Sequence, residues 1–136
     1  MSAVDTNVLV RYVVPDDDPL QTAAARSLID EGCSPDAPAL ILPVVLAEFV
    51  WVLRSSYRLS KKEVVSALEA MARNPNLAFD TEAEFLVALD AFRNRSIDFA
   101  DCLIAARANA LNAGELFTFD EKAAGKSPFK LLAPGA

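Results

Sequence analysis

Four acidic residues stand where the chain changes character. Asp5 falls between the short run Ser2-Ala3-Val4 and Thr6-Asn7-Val8-Leu9-Val10, the point at which a first strand gives way to a helix. Glu48 interrupts the apolar stretch from Val44 to Leu53. Asp101, with Asp98 three residues ahead of it, precedes Cys102-Leu103-Ile104, and Asp120 closes Leu116-Phe117-Thr118-Phe119. Open α/β sheets place their chemistry at the carboxyl ends of strands. The chain contains no histidine, so a site built from these residues would bind a metal through oxygen alone. Such ligands favour Mg²⁺ or Mn²⁺ over zinc. Four carboxylates in one pocket repel one another unless a cation stands among them.

Each acid also has a plainer reading. Asp5 suits a helix N-cap, a role that stabilises by about 1 kcal/mol; Thr6 and Asn7 beside it could instead hold its carboxylate by hydrogen bonds. Glu48 has Val44, Val45, Trp51 and Val52 one helical turn away on either side, and no basic residue within that turn. It is therefore expected to project from an apolar surface, where an unpaired charge is costly; a distant arginine or a metal would answer that cost. Asp98 as N-cap and Asp101 in the first turn would both favour a helix N-terminus without any further role. Asp120 could cap a short helix over Glu121-Lys122-Ala123-Ala124, with Thr118 on the same side of the strand by alternation. Asp5 and Asp120 both end apolar strands, and if those strands are neighbours, Glu48 and Asp101 can converge with them.

Short β-like runs alternate with helical patterns along the chain, which predicts an α/β fold with a parallel sheet. Strands are expected near Ala3-Val4, Leu40-Ile41-Leu42, Leu77-Ala78-Phe79, Leu116 to Phe119 and Lys130-Leu131-Leu132. Asp18-Pro19 should open a helix that ends near Gly32, and Pro43 should open the next. Ser60-Lys61-Lys62-Glu63 and Thr81-Glu82-Ala83-Glu84 both read as capping boxes, with Asn74-Pro75 closing the first of these helices. A helix from about Asp98 should end at Gly114. No repeat or interdomain linker is visible, and 136 residues fit a single domain over 1–136.

Thirteen basic residues against nineteen acidic ones give a net charge of −6, which disfavours loose attachment to nucleic acid or to an anionic membrane. A polyanionic substrate would need a local exception, which a bound cation provides. Cys33 and Cys102 lie far apart with no CxxC spacing and read as buried, reduced side chains. The start Met1-Ser2-Ala3-Val4-Asp5 has no basic leader, and the longest apolar stretch is broken by Pro38, Pro43 and Glu48. The expectation is a soluble, cytoplasmic protein with no membrane partner.

Taken in order, Val4-Asp5-Thr6-Asn7-Val8-Leu9-Val10, Val45 to Leu53 around Glu48, Asp98-Phe99-Ala100-Asp101-Cys102-Leu103-Ile104-Ala105 and Thr118-Phe119-Asp120 resemble the motifs of PIN-domain ribonucleases. Among these the chain is similar to the VapC-type toxins of type II toxin–antitoxin pairs. The resemblance implies a three-layer α/β/α sandwich and Mg²⁺- or Mn²⁺-dependent endonucleolytic cleavage of RNA by metal-activated water, leaving a 5′-phosphate and a 3′-hydroxyl. By the same resemblance Asp5, Glu48, Asp101 and Asp120 are the catalytic acids, with Asp5 and Asp101 the direct metal ligands and Thr6, Asn7, Asp98 and Thr118 in support. The fourth motif has Phe119 where many relatives have asparagine, which puts a second metal position in doubt. A cognate antitoxin and a homodimer are further implications. The apolar helix around Phe49, Trp51 and Leu53 would suit the antitoxin or would simply be core, and Arg11, Arg54, Arg93, Arg95 and Arg107 are candidates for guiding phosphates or are plain surface charge.

Two other functions compete. A phosphatase using a phosphoaspartate would place a second acid two residues after Asp5, but that residue is Asn7. A non-catalytic α/β interaction module with an acidic metal pocket, with Asp80 imitating a phosphoacceptor, would leave Glu48 and Asp101 without a role.

Overall fold

The computed structural model describes residues 1–15 and 18–135. Its elements follow the order β1 (Ser2–Ala3), α1 (Thr6–Val13), α2 (Pro19–Arg26), β2 (Ala39–Ile41), α3 (Pro43–Ser55), α4 (Lys61–Ala72), β3 (Leu77–Phe79), α5 (Glu82–Asn94), α6 (Phe99–Ala110), β4 (Leu116–Thr118) and β5 (Phe129–Leu131). The expected α/β class is the observed one, with every strand pairing parallel. The chain forms two compact units, Met1–Glu82 and Ala83–Ala136.

In the first unit β1, β2 and β3 make a sheet in that order. Parallel neighbours need a crossover rather than a hairpin; α1 and α2 provide the first, α3 and α4 the second. The register pairs Ser2 with Ala39 and Ala39 with Leu77. Beyond the last paired residue the Val4 amide still donates to the Leu40 carbonyl at 3.3 Å, so the ladder reaches the residue next to Asp5. Leu9, Ile29, Ile41, Leu46, Phe49, Leu53, Val64 and Leu68 are fully buried. Tyr12 fastens α1 to later segments: its hydroxyl donates to Asp30 at 2.5 Å and accepts from the Asn74 amide at 3.0 Å.

Proline lacks an amide hydrogen and has φ fixed for a helix, so it fits the first helical position without loss. Pro19 and Pro43 occupy that position in α2 and α3, and Asp18 caps α2 by accepting from the Gln21 amide at 3.1 Å. The expected single helix up to Gly32 is instead α2 followed by a π-helical turn over Ser27–Glu31, closed by the Gly32 amide donating to the Ser27 carbonyl at 2.9 Å. A Cβ on Gly32 would stand 2.8 Å from the Leu28 carbonyl oxygen, which is why the widened turn ends on glycine. Ser60 and Glu63 form the reciprocal capping box the sequence predicts, with bonds of 3.1 and 3.0 Å.

The second unit contains α5 after its first residue, α6 and the parallel pair β4–β5. Phe85, Phe92, Phe99 and Cys102 are buried, and the Phe92 and Phe99 rings meet edge to face at 5.5 Å. Cys33 and Cys102 are both buried free thiols, as expected.

Two helix ends differ from expectation. Thr81 has φ +55° and its hydroxyl donates to the Asp80 carbonyl at 2.6 Å; a capping box needs an extended N-cap whose oxygen accepts. Helix α6 ends before Gly114, because Asn112 takes the left-handed position at φ +61°. The Ala113 amide donates to the Ala108 carbonyl and that of Asn112 to Asn109, the Schellman arrangement, in which asparagine replaces the usual glycine. The expected helix after Asp120 is a series of turns instead.

Replacing Ser60 with Ala removes the α4 cap and should lower stability by about 1 kcal/mol, read as a lower urea midpoint. Ser66→Ala, at an exposed position inside the same helix, should leave the midpoint unchanged or slightly raised.

Candidate active site

Asp5 is the N-cap of α1, extended in backbone, and its Oδ1 accepts from the Thr6 amide at 2.7 Å. The side chain at the next position is turned inward: Thr6 is 6% exposed, the one buried polar residue among those described. Its hydroxyl donates to Glu48 Oε1, which lies 42 residues later on α3. Thr6 thus holds both acids of the first unit, one through its backbone and one through its side chain. Asp5, Thr6, Asn7, Arg11, Glu48 and Tyr57 line a cleft of about 290 Å³. Arg11 is oriented within it by Nε donating to Gln21 Oε1 at 2.9 Å and by Nη1 donating to the Tyr57 hydroxyl at 3.1 Å. Tyr57 was not visible as a site residue, because nothing in its local sequence points 46 residues back to Arg11.

The surroundings of Glu48 correct the sequence reading. The buried stripe of α3 is Val45, Leu46, Phe49, Val50 and Leu53, and Glu48 is exposed beside it. Two of its apolar neighbours, Val44 and Trp51, are themselves 72% and 67% exposed. The charge therefore meets solvent and the Thr6 hydroxyl instead of an apolar interior. A helix that is apolar nearly all round does not reveal which side faces the core. For the same reason Phe49 and Leu53 prove to be core, and only Trp51 of that trio is on the surface.

In the second unit Asp98 is the N-cap of α6 by backbone position, yet its carboxylate makes no capping bond. Asp101 lies in the first turn and is half-buried. Partial burial, followed by the charges of Asp98 and Asp120, pushes its carboxyl above the ordinary aspartate range. Both causes oppose the charge that a helix N-terminus by itself would favour. The third acid, Asp120, is fixed from both sides. Its amide donates to the Thr118 hydroxyl at 2.9 Å, and its Oδ1 accepts from the Lys122 amide at 2.8 Å.

Among the other arginines, Arg93 pairs with Asp90 and Arg107 with Glu84, while Arg54 reaches the Leu59 carbonyl at 3.5 Å. Arg11 is the one among the five that lines the Asp5–Glu48 cleft.

A model of the PIN domain matches residues 3–126, across both units. The chain belongs to the PIN-domain family. PIN domains are generally metal-dependent nucleases that use divalent cations. A comparison with curated proteins finds no match to this one. The charges of Asp98 and Asp120 both act against ionisation of Asp101, a repulsion of the kind that a cation relieves. Among the described residues, no group of three acidic or cysteine side chains could hold a metal ion. No helix among them is long and apolar enough to cross a membrane.

Thr6→Val keeps the shape of the buried side chain and deletes the donor to Glu48. It should lower stability by about 1 kcal/mol, and a double-mutant cycle with Glu48→Ala should assign most of that loss to the pair. Asp101→Asn should have the opposite effect in chelator. Because the folded carboxyl keeps its proton to higher pH than the unfolded one, its ionisation opposes folding. That penalty is absent below the ordinary aspartate pKa, grows as pH rises through the raised value, and is complete above it. The variant should therefore exceed wild type at neutral pH by less than about 1 kcal/mol, since solvent screens the partly exposed group, and match it in acid. Equal stability at every pH would refute the raised value.

Proposed function

We propose that this PIN domain is a Mg²⁺- or Mn²⁺-dependent endoribonuclease, acting in the cytoplasm as the toxin of a type II toxin–antitoxin pair. The observation that carries the reading is the fixing of single carboxylate oxygens. Asp5, Glu48 and Asp120 each have one oxygen held by a hydrogen bond from a neighbouring amide or hydroxyl. The second oxygen of each is the one assigned to chemistry. Asp5 and Asp101 are the residues proposed to hold the cation, with Glu48 and Asp120 orienting the attacking water and Asp98 adding negative charge. Thr6, Asn7 and Thr118 position these acids. When bound, the cation supplies a Lewis acid for the phosphodiester and lowers the pKa of water.

Membership of a nuclease family, rather than cleft shape, supports hydrolysis, and the likeness to VapC-type toxins supports RNA as substrate, a cognate antitoxin and a homodimer. The whole chain, 1–136, is proposed to act as one functional domain. Asn7 lines the Asp5 cleft and offers no second acid there for a phosphoaspartate mechanism.

Purified protein, free of any antitoxin, should cut total cellular RNA into discrete fragments with Mg²⁺ or Mn²⁺ and not with chelator. The fragments should carry 5′-phosphates. Asp5→Asn and Asp101→Asn should each reduce the rate by about 100-fold or more while remaining folded by circular dichroism. Equal cleavage by both variants would overturn the assignment, and metal binding by a folded protein that cuts no RNA would favour the interaction module.

A further inference from the structure

Asp120 lies in a segment without regular secondary structure. Between β4 and β5 the chain runs through turns, in which the Ala124 amide donates to the Asp120 carbonyl at 3.0 Å and the Lys126 amide to the Ala123 carbonyl at 3.1 Å. The Lys126 side chain reaches out of that segment. Its ammonium donates to the Lys122 carbonyl at 2.7 Å and to the Ser96 carbonyl at 2.8 Å. Ser96 is in the connection from α5 to α6, just ahead of Asp98 and of the helical turn that carries Asp101. The backbone of Lys126 is itself secured, because its carbonyl accepts from the amide of the buried Phe129 at 2.9 Å. One half-buried side chain of the second unit therefore joins the loop of Asp120 to the loop of Asp98.

We propose that Lys126 is a positioning residue for Asp101 and Asp120, bridging the two loops so that these acids stay near enough to act on one cation. The proposal rests on the nuclease reading and deepens it by naming what holds the acids of the second unit together. Asp98 and Asp120 both act on Asp101 as like charges, so the loops repel each other when these acids ionise. A link between the two backbones opposes that opening and leaves the carboxylate oxygens untouched. An ammonium suits the task, since it has three donors and no acceptor, and a bond from a charged donor is stronger than one between neutral groups. Paired directly with a carboxylate, a lysine would compete with the cation. Bonded to two carbonyls, it sets a distance instead.

The sign of the effect separates positioning from charge. Removing a positive charge near acids strengthens cation binding by Coulomb's law, whereas releasing the bridge should weaken it by about tenfold, as loss of a partner that orients a metal ligand does. The test is Mn²⁺ binding to RNA-free protein, read as free Mn²⁺ by electron paramagnetic resonance. The proteins compared are wild type, Lys126→Met, Lys126→Gln, Lys126→Arg and Lys130→Met. Lys130 is exposed and pairs with Glu115 at 3.2 Å, so its methionine variant removes the same charge and leaves the bridge in place. Wild type should bind most tightly, Lys126→Arg next, and Lys126→Met and Lys126→Gln most weakly, with Lys130→Met no weaker than wild type. The Mn²⁺ concentration for half-maximal RNA cleavage should rise in the same order. Lys126→Gln decides the outcome if Lys126→Met does not fold, and failure of both to fold by circular dichroism would make Lys126 a structural residue and overturn the proposal. Affinity unchanged or tightened in the Lys126 variants would overturn it too, as would an equal loss in Lys130→Met. A wild type that binds Mn²⁺ and cuts RNA while the Lys126 variants match it refutes only the bridge. A folded wild type that neither binds Mn²⁺ nor cuts RNA refutes the nuclease reading with it.

Discussion

A carboxylate has two oxygens, and it can serve both a fold and a reaction only if they are divided between the two tasks. Thr6 makes that division in the first unit. Its amide holds one oxygen of Asp5 and its hydroxyl one oxygen of Glu48, so a single buried residue sets the position of two exposed acids that are distant in sequence. Burial matters here because a β-branched side chain packed in the interior has few rotamers open to it, and the hydroxyl direction is then fixed by packing. The β1–β2 ladder supplies the other half of the constraint. It runs as far as the Val4 amide and brings Asp5 to the sheet edge, where α1 begins.

Much of this arrangement could be read from residue types. Proline at a first helical turn, a serine three residues before a glutamate and parallel β-rich runs have local causes, and α2, α3, α4 and the strands form close to where those causes place them. The features that escaped depend on contacts distant in sequence or on backbone states that residue type does not dictate. Glu48 looked buried because its helical neighbours are apolar, but α3 has more apolar residues than its inner face can use, leaving Val44 and Trp51 outside. Thr81 fits a capping pattern by letters alone, and its left-handed backbone defeats it. Asn112 ended α6 where glycine seemed the better candidate, because asparagine also tolerates that conformation. The link between Arg11 and Tyr57 had no local signal at all.

Local contacts separate the acids into two kinds. Asp5, Glu48 and Asp120 each accept a hydrogen bond from a neighbouring amide or hydroxyl. Asp101 has instead partial burial and two like charges, and its carboxyl is raised. A fold optimised only for stability would put a neutral residue at such a position, since most of what the charge meets there is unfavourable. Strain of this kind is the usual mark of a group kept for something other than folding. The missing capping bond at Asp98 points the same way, because an N-cap aspartate whose side chain does not cap gives up its ordinary stabilising role.

Membership of the PIN-domain family fixes the class of chemistry, while the choice of substrate has to come from the surfaces around the acids. Each unit, taken by itself, has exposed apolar side chains near its acids: Val44 and Trp51 one helical turn from Glu48 in the first, Phe117 and Phe119 shortly before Asp120 in the second. A substrate that was only a polyanion would make no use of them and would meet an unfavourable field from a chain of net charge −6. A substrate with flat aromatic bases can draw binding energy from stacking, which salt and net charge leave largely untouched, and so depends less on phosphate contacts.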